Sequence, residues 1–112
     1  MTVKSIFTIP TSLLKNGKLD LNNDGKEDTL MDALNYQGGS NLKGKAANLL
    51  RAAVAALLNE AALGDSYPPY SNANDLIAAV NTVLASEDKT SYTDMGKSLD
   101  GWNNGIHEFP IP

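Results

Sequence analysis

The stretch that most constrains the fold is residues 40–63, SNLKGKAANLLRAAVAALLNEAAL, which reads as one long helix with apolar residues on nearly every face. Seven consecutive apolar residues, from Ala52 through Leu58, stand between Arg51 and Asn59. A helix that is hydrophobic all round is normally enclosed by its neighbours. The run falls well short of the roughly 18 to 20 apolar residues a bilayer span needs, and Lys43, Lys45, Arg51 and Glu60 interrupt it. It is therefore expected to be a central core helix rather than a membrane helix. Its alanines favour helix and let neighbours approach closely, with Ser40 or Asn41 as its cap and Gly64 as its terminator.

The other periodic segments supply helices to pack around it. Residues 29–36 place Leu30, Leu34 and Met31 on one face, and Gly38-Gly39 stops that short helix. Asn72 caps a helix through Ser86, with Asp75 in its first turn and Leu76, Ile77, Val80, Val83 and Leu84 as its apolar stripe. After a solvated Glu87-Asp88-Lys89 turn, Thr90 or Ser91 opens a last helix. Its Tyr92, Met95, Leu99 and Trp102 follow three- and four-residue spacing up to Asn103-Asn104-Gly105. Trp102 reads as a core anchor. Residues 2–10 alternate with β-branched residues throughout and read as a short extended segment closed by Pro10. Its natural pairing partner is the proline-rich tail, residues 106–112. Residues 11–15 suit a single helical turn, ended by Asn16-Gly17. The expected architecture is all-α: one domain over residues 1–112, with about four helices around the central one and short extended termini.

One segment carries recognisable chemistry. In KLDLNNDGKEDTLMD, residues 18–32, Asp20, Asn22 and Asp24 put oxygen side chains at alternate positions, and Gly25 then permits a sharp turn. That is the front half of an EF-hand calcium loop, in which the first, third and fifth positions ligate and the sixth is glycine. The seventh lends a backbone carbonyl and the ninth often ligates through water. Asp20, Asn22, Asp24, Gly25, Lys26 and Asp28 fill those places in order, but the twelfth position, normally a bidentate acid, is Met31, with Asp32 one residue late. The candidate calcium ligands are thus Asp20, Asn22, Asp24, Lys26, Asp28 and Asp32. Lacking the bidentate acid, such a site should bind only at roughly 10⁻⁴ to 10⁻³ M unless Asp32 or a distant carboxylate completes it. The same residues also compose an ordinary turn, with Asp28 or Thr29 as N-cap and Thr29 with Asp32 as a capping box.

Charge and residue usage exclude several function classes. With 13 acidic against 9 basic residues the net charge is −4, which opposes nonspecific attraction to nucleic acid or anionic membrane. The chain has no cysteine, so disulfides, thiolate metal sites and cysteine nucleophiles are excluded. The N-terminal residues lack the apolar core of a signal peptide, so a secreted parent would contribute this as a mature piece. His107, the one histidine, stands beside Glu108 in the tail, and no Gly-x-Ser-x-Gly or phosphate-binding glycine loop occurs. The sequence therefore points away from catalysis. Tyr67 and Tyr70, in a loop stiffened by Pro68-Pro69, either pack over helix ends or form a surface for a small ligand or glycan.

Two resemblances follow from these residues. The segment Asp20-Leu21-Asn22-Asn23-Asp24-Gly25-Lys26 resembles the calcium loop of dockerin and other EF-hand-like modules of extracellular bacterial proteins. The TLMDALNYQGG segment, the LLRAAVAALLN run, the Tyr67-Pro68 loop and Asn103-Asn104-Gly105 together resemble a helical module found in C-terminal regions of secreted and surface-attached bacterial proteins. These resemblances imply an extracellular or cell-surface setting, bound Ca2+, and a role in adhesion, anchoring or assembly through a protein partner, the parent polypeptide or further copies of the chain. A surface filament built by strand addition through the extended termini is the alternative assembly.

Overall fold

The computed structural model describes residues 1–63 and 73–105, with side chains described through Glu60 and from Ala73 to Gly101. Tyr67, Tyr70, Asn72, His107 and the tail therefore lie outside the described residues, as does the side chain of Trp102.

The chain forms α1 (Val3–Ile6), a 3-10 turn (Thr11–Leu13), α2 (Leu30–Leu34), α3 (Leu42–Leu63), α4 (Ala73–Ser86) and α5 (Lys89–Gly105). The all-α expectation holds among the described residues, and α3 is the central helix. It packs most extensively against α5 and also touches α2, α4 and the 3-10 turn. Leu49, Leu50, Ala52, Ala53, Val54 and Ala56 are all buried, which is why this helix carries so little polarity along its middle. Leu58 is the exposed member of the apolar run. No helix among the described residues is long and apolar enough to cross a membrane.

Local chemistry accounts for the helix ends. The Asn41 side chain accepts from Gly44 N at 2.7 Å and so caps α3. Just before it, the chain turns back across the helix, and a Cβ on Gly44 would lie 2.5 Å from the Gly39 backbone. Only glycine permits that approach. The apolar stripe of α4 faces inward, with Leu76, Val80 and Leu84 buried and Ile77 and Val83 packed at its margin. In α5, Tyr92 and Leu99 are buried, and the Tyr92 hydroxyl donates to the Leu84 carbonyl at 2.7 Å, joining α5 to the end of α4. The Glu87-Asp88-Lys89 segment is more than a solvated turn. Asp88, rather than Thr90 or Ser91, caps α5, accepting from Ser91 N at 2.9 Å and from Ser91 Oγ at 2.8 Å.

The N-terminus corrects the sequence reading. Residues 3–6 are helical, not extended. Thr2 accepts from Ser5 N and caps the turn, and Val3 and Phe7, four residues apart, bury on one side. That burial overrides the β preference of the individual residues. Among the described residues, extended pairing of this segment survives only at the edge. Thr2 bridges Thr29, Val3 N donates to the Asp28 carbonyl at 3.1 Å, and Leu30 N donates to the Met1 carbonyl at 3.1 Å. The segment is thus attached to the start of α2, and with Val3 and Phe7 in the core it offers no free strand for addition to a neighbour. Farther on, Thr8 N donates to Asn81 Oδ1 at 2.8 Å, which lays the arm across α4.

Candidate metal centre

The loop of interest leaves a tight reversal. Lys15 and Lys18 exchange backbone hydrogen bonds of 2.7 and 3.0 Å around Asn16 and Gly17, both at positive φ. A helix, α2, follows the loop, but the element before it is this reversal, so the two-helix frame of an EF-hand is absent here. The loop is closed at its base where Asp28 N donates to the Leu19 carbonyl at 2.8 Å and Leu19 N donates to Glu27 Oε2 at 2.9 Å. At its tip, Asn23 and Gly25 adopt positive φ, 59° and 81°, the turn that the glycine was expected to provide.

Within this turn Asp20 and Asp28 are buried, whereas Asp24 is exposed. Asp20 Oδ1 accepts from Asp24 N at 3.0 Å, and its Oδ2 accepts from Gly25 N at 2.9 Å. Burial pushes the Asp20 carboxyl up, but these backbone donors outweigh it and hold the group below the ordinary aspartate value. Asp28 is fully buried. Its Oδ2 accepts from Leu21 N at 2.7 Å and from the Tyr36 hydroxyl at 2.5 Å, whereas its Oδ1 has no hydrogen-bond partner. Burial, first, and then the neighbouring carboxylates raise the Asp28 carboxyl above its ordinary value. The same burial, with Asp28 alongside, raises the Tyr36 phenol and keeps it a donor.

Carboxylate oxygens of Asp20, Asp24 and Asp28 all lie within 4.8 Å of one another. Three acids at that spacing repel unless something positive stands between them. The residues present fit a hard cation, because the donor set is all oxygen and a buried carboxylate oxygen lacks any other partner. Other candidate ligands lie differently. Asn22 is exposed, and its Oδ1 accepts from Asp24 N at 3.3 Å. Lys26, expected to lend its carbonyl, is exposed, and its N–H donates to Asp24 Oδ1 at 2.9 Å. Asp32 closes the capping box of α2, its Oδ2 accepting from Thr29 N at 2.9 Å while Thr29 Oγ1 accepts from Asp32 N at 3.1 Å. It stands outside the carboxylate group, and Met31, at the twelfth position, is exposed.

Sequence reasoning missed Tyr36, which orients the buried carboxylate. The available signal was an amphipathic aromatic just beyond a short helix whose other end carries the acid, since such a residue places its ring in the core and its hydroxyl on a polar group. In comparisons with known proteins, no family model, no curated protein and no solved structure matches the chain.

Proposed function

We propose that this chain is a non-catalytic, calcium-stabilised structural and protein-interaction module of an extracellular or cell-surface bacterial protein. The observation that carries the reading is the grouping of Asp20, Asp24 and Asp28, with one carboxylate oxygen of each within 4.8 Å of the others, around a buried Asp28 whose Oδ1 has no hydrogen-bond partner. Calcium suits such a site better than magnesium, because it accepts a larger and less regular oxygen shell. A cation there neutralises three acids and holds the loop closed. The loop base is tied to both the N-terminal arm and α2, so the cation sets how those elements meet α3. The dockerin-like loop and the bacterial helical-module resemblance support the setting, and the absence of a nucleophile or phosphate-loop motif from the sequence supports a non-enzymatic role.

The test is thermal unfolding of the intact chain and of Asp24→Ala at fixed ionic strength, in EDTA, in about 5 mM calcium and in about 5 mM magnesium. At the weak affinity expected, calcium should stabilise the parent chain by about 1–2 kcal/mol, with a smaller effect of magnesium. Asp24→Ala should remove the gain. An unfolding midpoint insensitive to calcium would sink the proposal.

A further inference from the structure

Although the chain is acidic overall, one groove is locally basic. It lies between α3 and α5, encloses about 220 Å3, and carries Lys45 and Arg51 on one wall and Lys97 on the other, with Asp100 at one end. The sequence spacing shows how this arises. Residues 45, 48 and 51 share a face of α3, and residues 93, 96, 97 and 100 share a face of α5. Gly96 brings the two faces together: a Cβ built on it would sit 3.6 Å from Leu49 Cα. Lys97 therefore stands level with the middle of the Lys45 to Arg51 stretch.

These cations are poorly neutralised by the protein itself. Arg51 meets Asp100 only at 3.9 Å, with both side chains about half exposed, a geometry of little energetic value. Among the described residues, neither Lys45 nor Lys97 has an ion-pair partner. We propose that this groove docks a short acidic peptide segment of a partner protein. Six residues of helix separate Lys45 from Arg51 by about 9 Å, the length of two to three residues of extended chain. Acidic side chains at alternate positions of such a segment reach both ends, with Lys97 facing the middle. Arg51 receives a carboxylate through its planar fork. A long polyanion fits less well, because the net charge of −4 repels charge that extends beyond the groove and Asp100 stands beside Arg51 at one end of it.

This docking is separate from the cation centre, so the experiment keeps the two apart. Fluorescence anisotropy follows a fluorescein-labelled peptide of alternating glycine and glutamate binding to the intact chain, in EDTA and in about 5 mM calcium. A glycine–lysine peptide and heparin are the controls. The expected result is binding of the acidic peptide below about 1 mM in both buffers. Lys97→Glu and Lys45→Glu should each weaken it roughly tenfold. Lys97→Gln, which adds no repulsion, should weaken it less, and Lys89→Glu, outside the groove, should leave it unchanged. Circular dichroism confirms that each variant is folded, and amide shifts at residues 93–97 map the contact. The proposal is overturned by absence of binding, by equal losses in Lys89→Glu and Lys97→Glu, by heparin competing as the tighter ligand, or by binding that requires calcium and disappears in Asp24→Ala.

Discussion

The Tyr36 hydroxyl donates to Asp28 Oδ2 at 2.5 Å, and this bond, with the one from Leu21 N, occupies that oxygen and leaves Oδ1 without a hydrogen-bond partner. A residue at the exit of α2 thereby determines the chemistry of a loop that precedes the helix. Replacing Tyr36 with phenylalanine keeps the ring in the core but removes a hydrogen bond to a charged group. The expected cost is roughly 1–3 kcal/mol, measured by urea unfolding in EDTA. An unchanged urea midpoint would show that the bond contributes nothing net.

Asp28→Asn should have effects of opposite sign in the two buffers. The amide oxygen can still accept from Tyr36 and Leu21, and the amide nitrogen can donate to the neighbouring acids, so the metal-free protein loses a buried, uncompensated charge. Because folding raises the Asp28 carboxyl above its ordinary value, the parent chain loses stability as pH rises through that raised value. The variant has no such loss. In EDTA near neutral pH it should therefore melt above the parent, and in calcium it should melt below it. A variant that gains as much from calcium as the parent would exclude Asp28 as a ligand.

Two glycines of the helical core should respond in opposite directions to alanine. Gly44→Ala sets a methyl group 2.5 Å from Gly39 backbone atoms, which cannot rotate away, and should destabilise by roughly 1–3 kcal/mol. At Gly96 the nearest atom is 3.6 Å away, an ordinary contact, and the gain in helix preference should stabilise by roughly 0.5–1 kcal/mol. Chemical denaturation of the two variants side by side checks both signs. The reverse order would mean that the α3–α5 crossing is tighter than the approach of Gly39 to α3.

Acid should act partly through the α5 cap. The Ser91 hydroxyl, then its backbone N–H, hold the Asp88 carboxyl below its ordinary value. Its contribution is present above that ordinary value and is lost as pH falls through the lowered one. Asp88→Asn retains an acceptor for the cap but cannot titrate. Its stability should fall less steeply than the parent's between the ordinary and lowered values, as read from melting temperatures across the acid range. Parallel pH profiles would remove Asp88 from the acid response.

Much of the helical layout was legible because its signals are local. The apolar run of α3, the stripe Leu76, Val80 and Leu84, and the spacing of Tyr92 and Leu99 each lie within a few turns of one helix, and Asn41 caps a turn beside it. The N-terminal segment misled because alternation among Val3, Ser5 and Phe7 suits a strand, while burial of Val3 and Phe7 together suits a helical turn. Local preference differs little between the two, so the core decides. In the loop, the sequence identified Asp20, Asp24 and Asp28 as candidates, but offered Asp32 both a ligand and a capping role, and the structure shows the cap.

By itself, then, the sequence determined a helical chain built on residues 40–63 and an acid-rich turn centred on Gly25, both set by periodicity, capping and glycine geometry within short stretches. Only the tertiary structure decided that Asp28 is buried with one oxygen unpartnered and held by Tyr36, and that Lys45, Arg51 and Lys97 share a groove. Those relationships depend on desolvation and on contact between separate elements. Their free energies arise only when the chain is packed, and no local preference contains them.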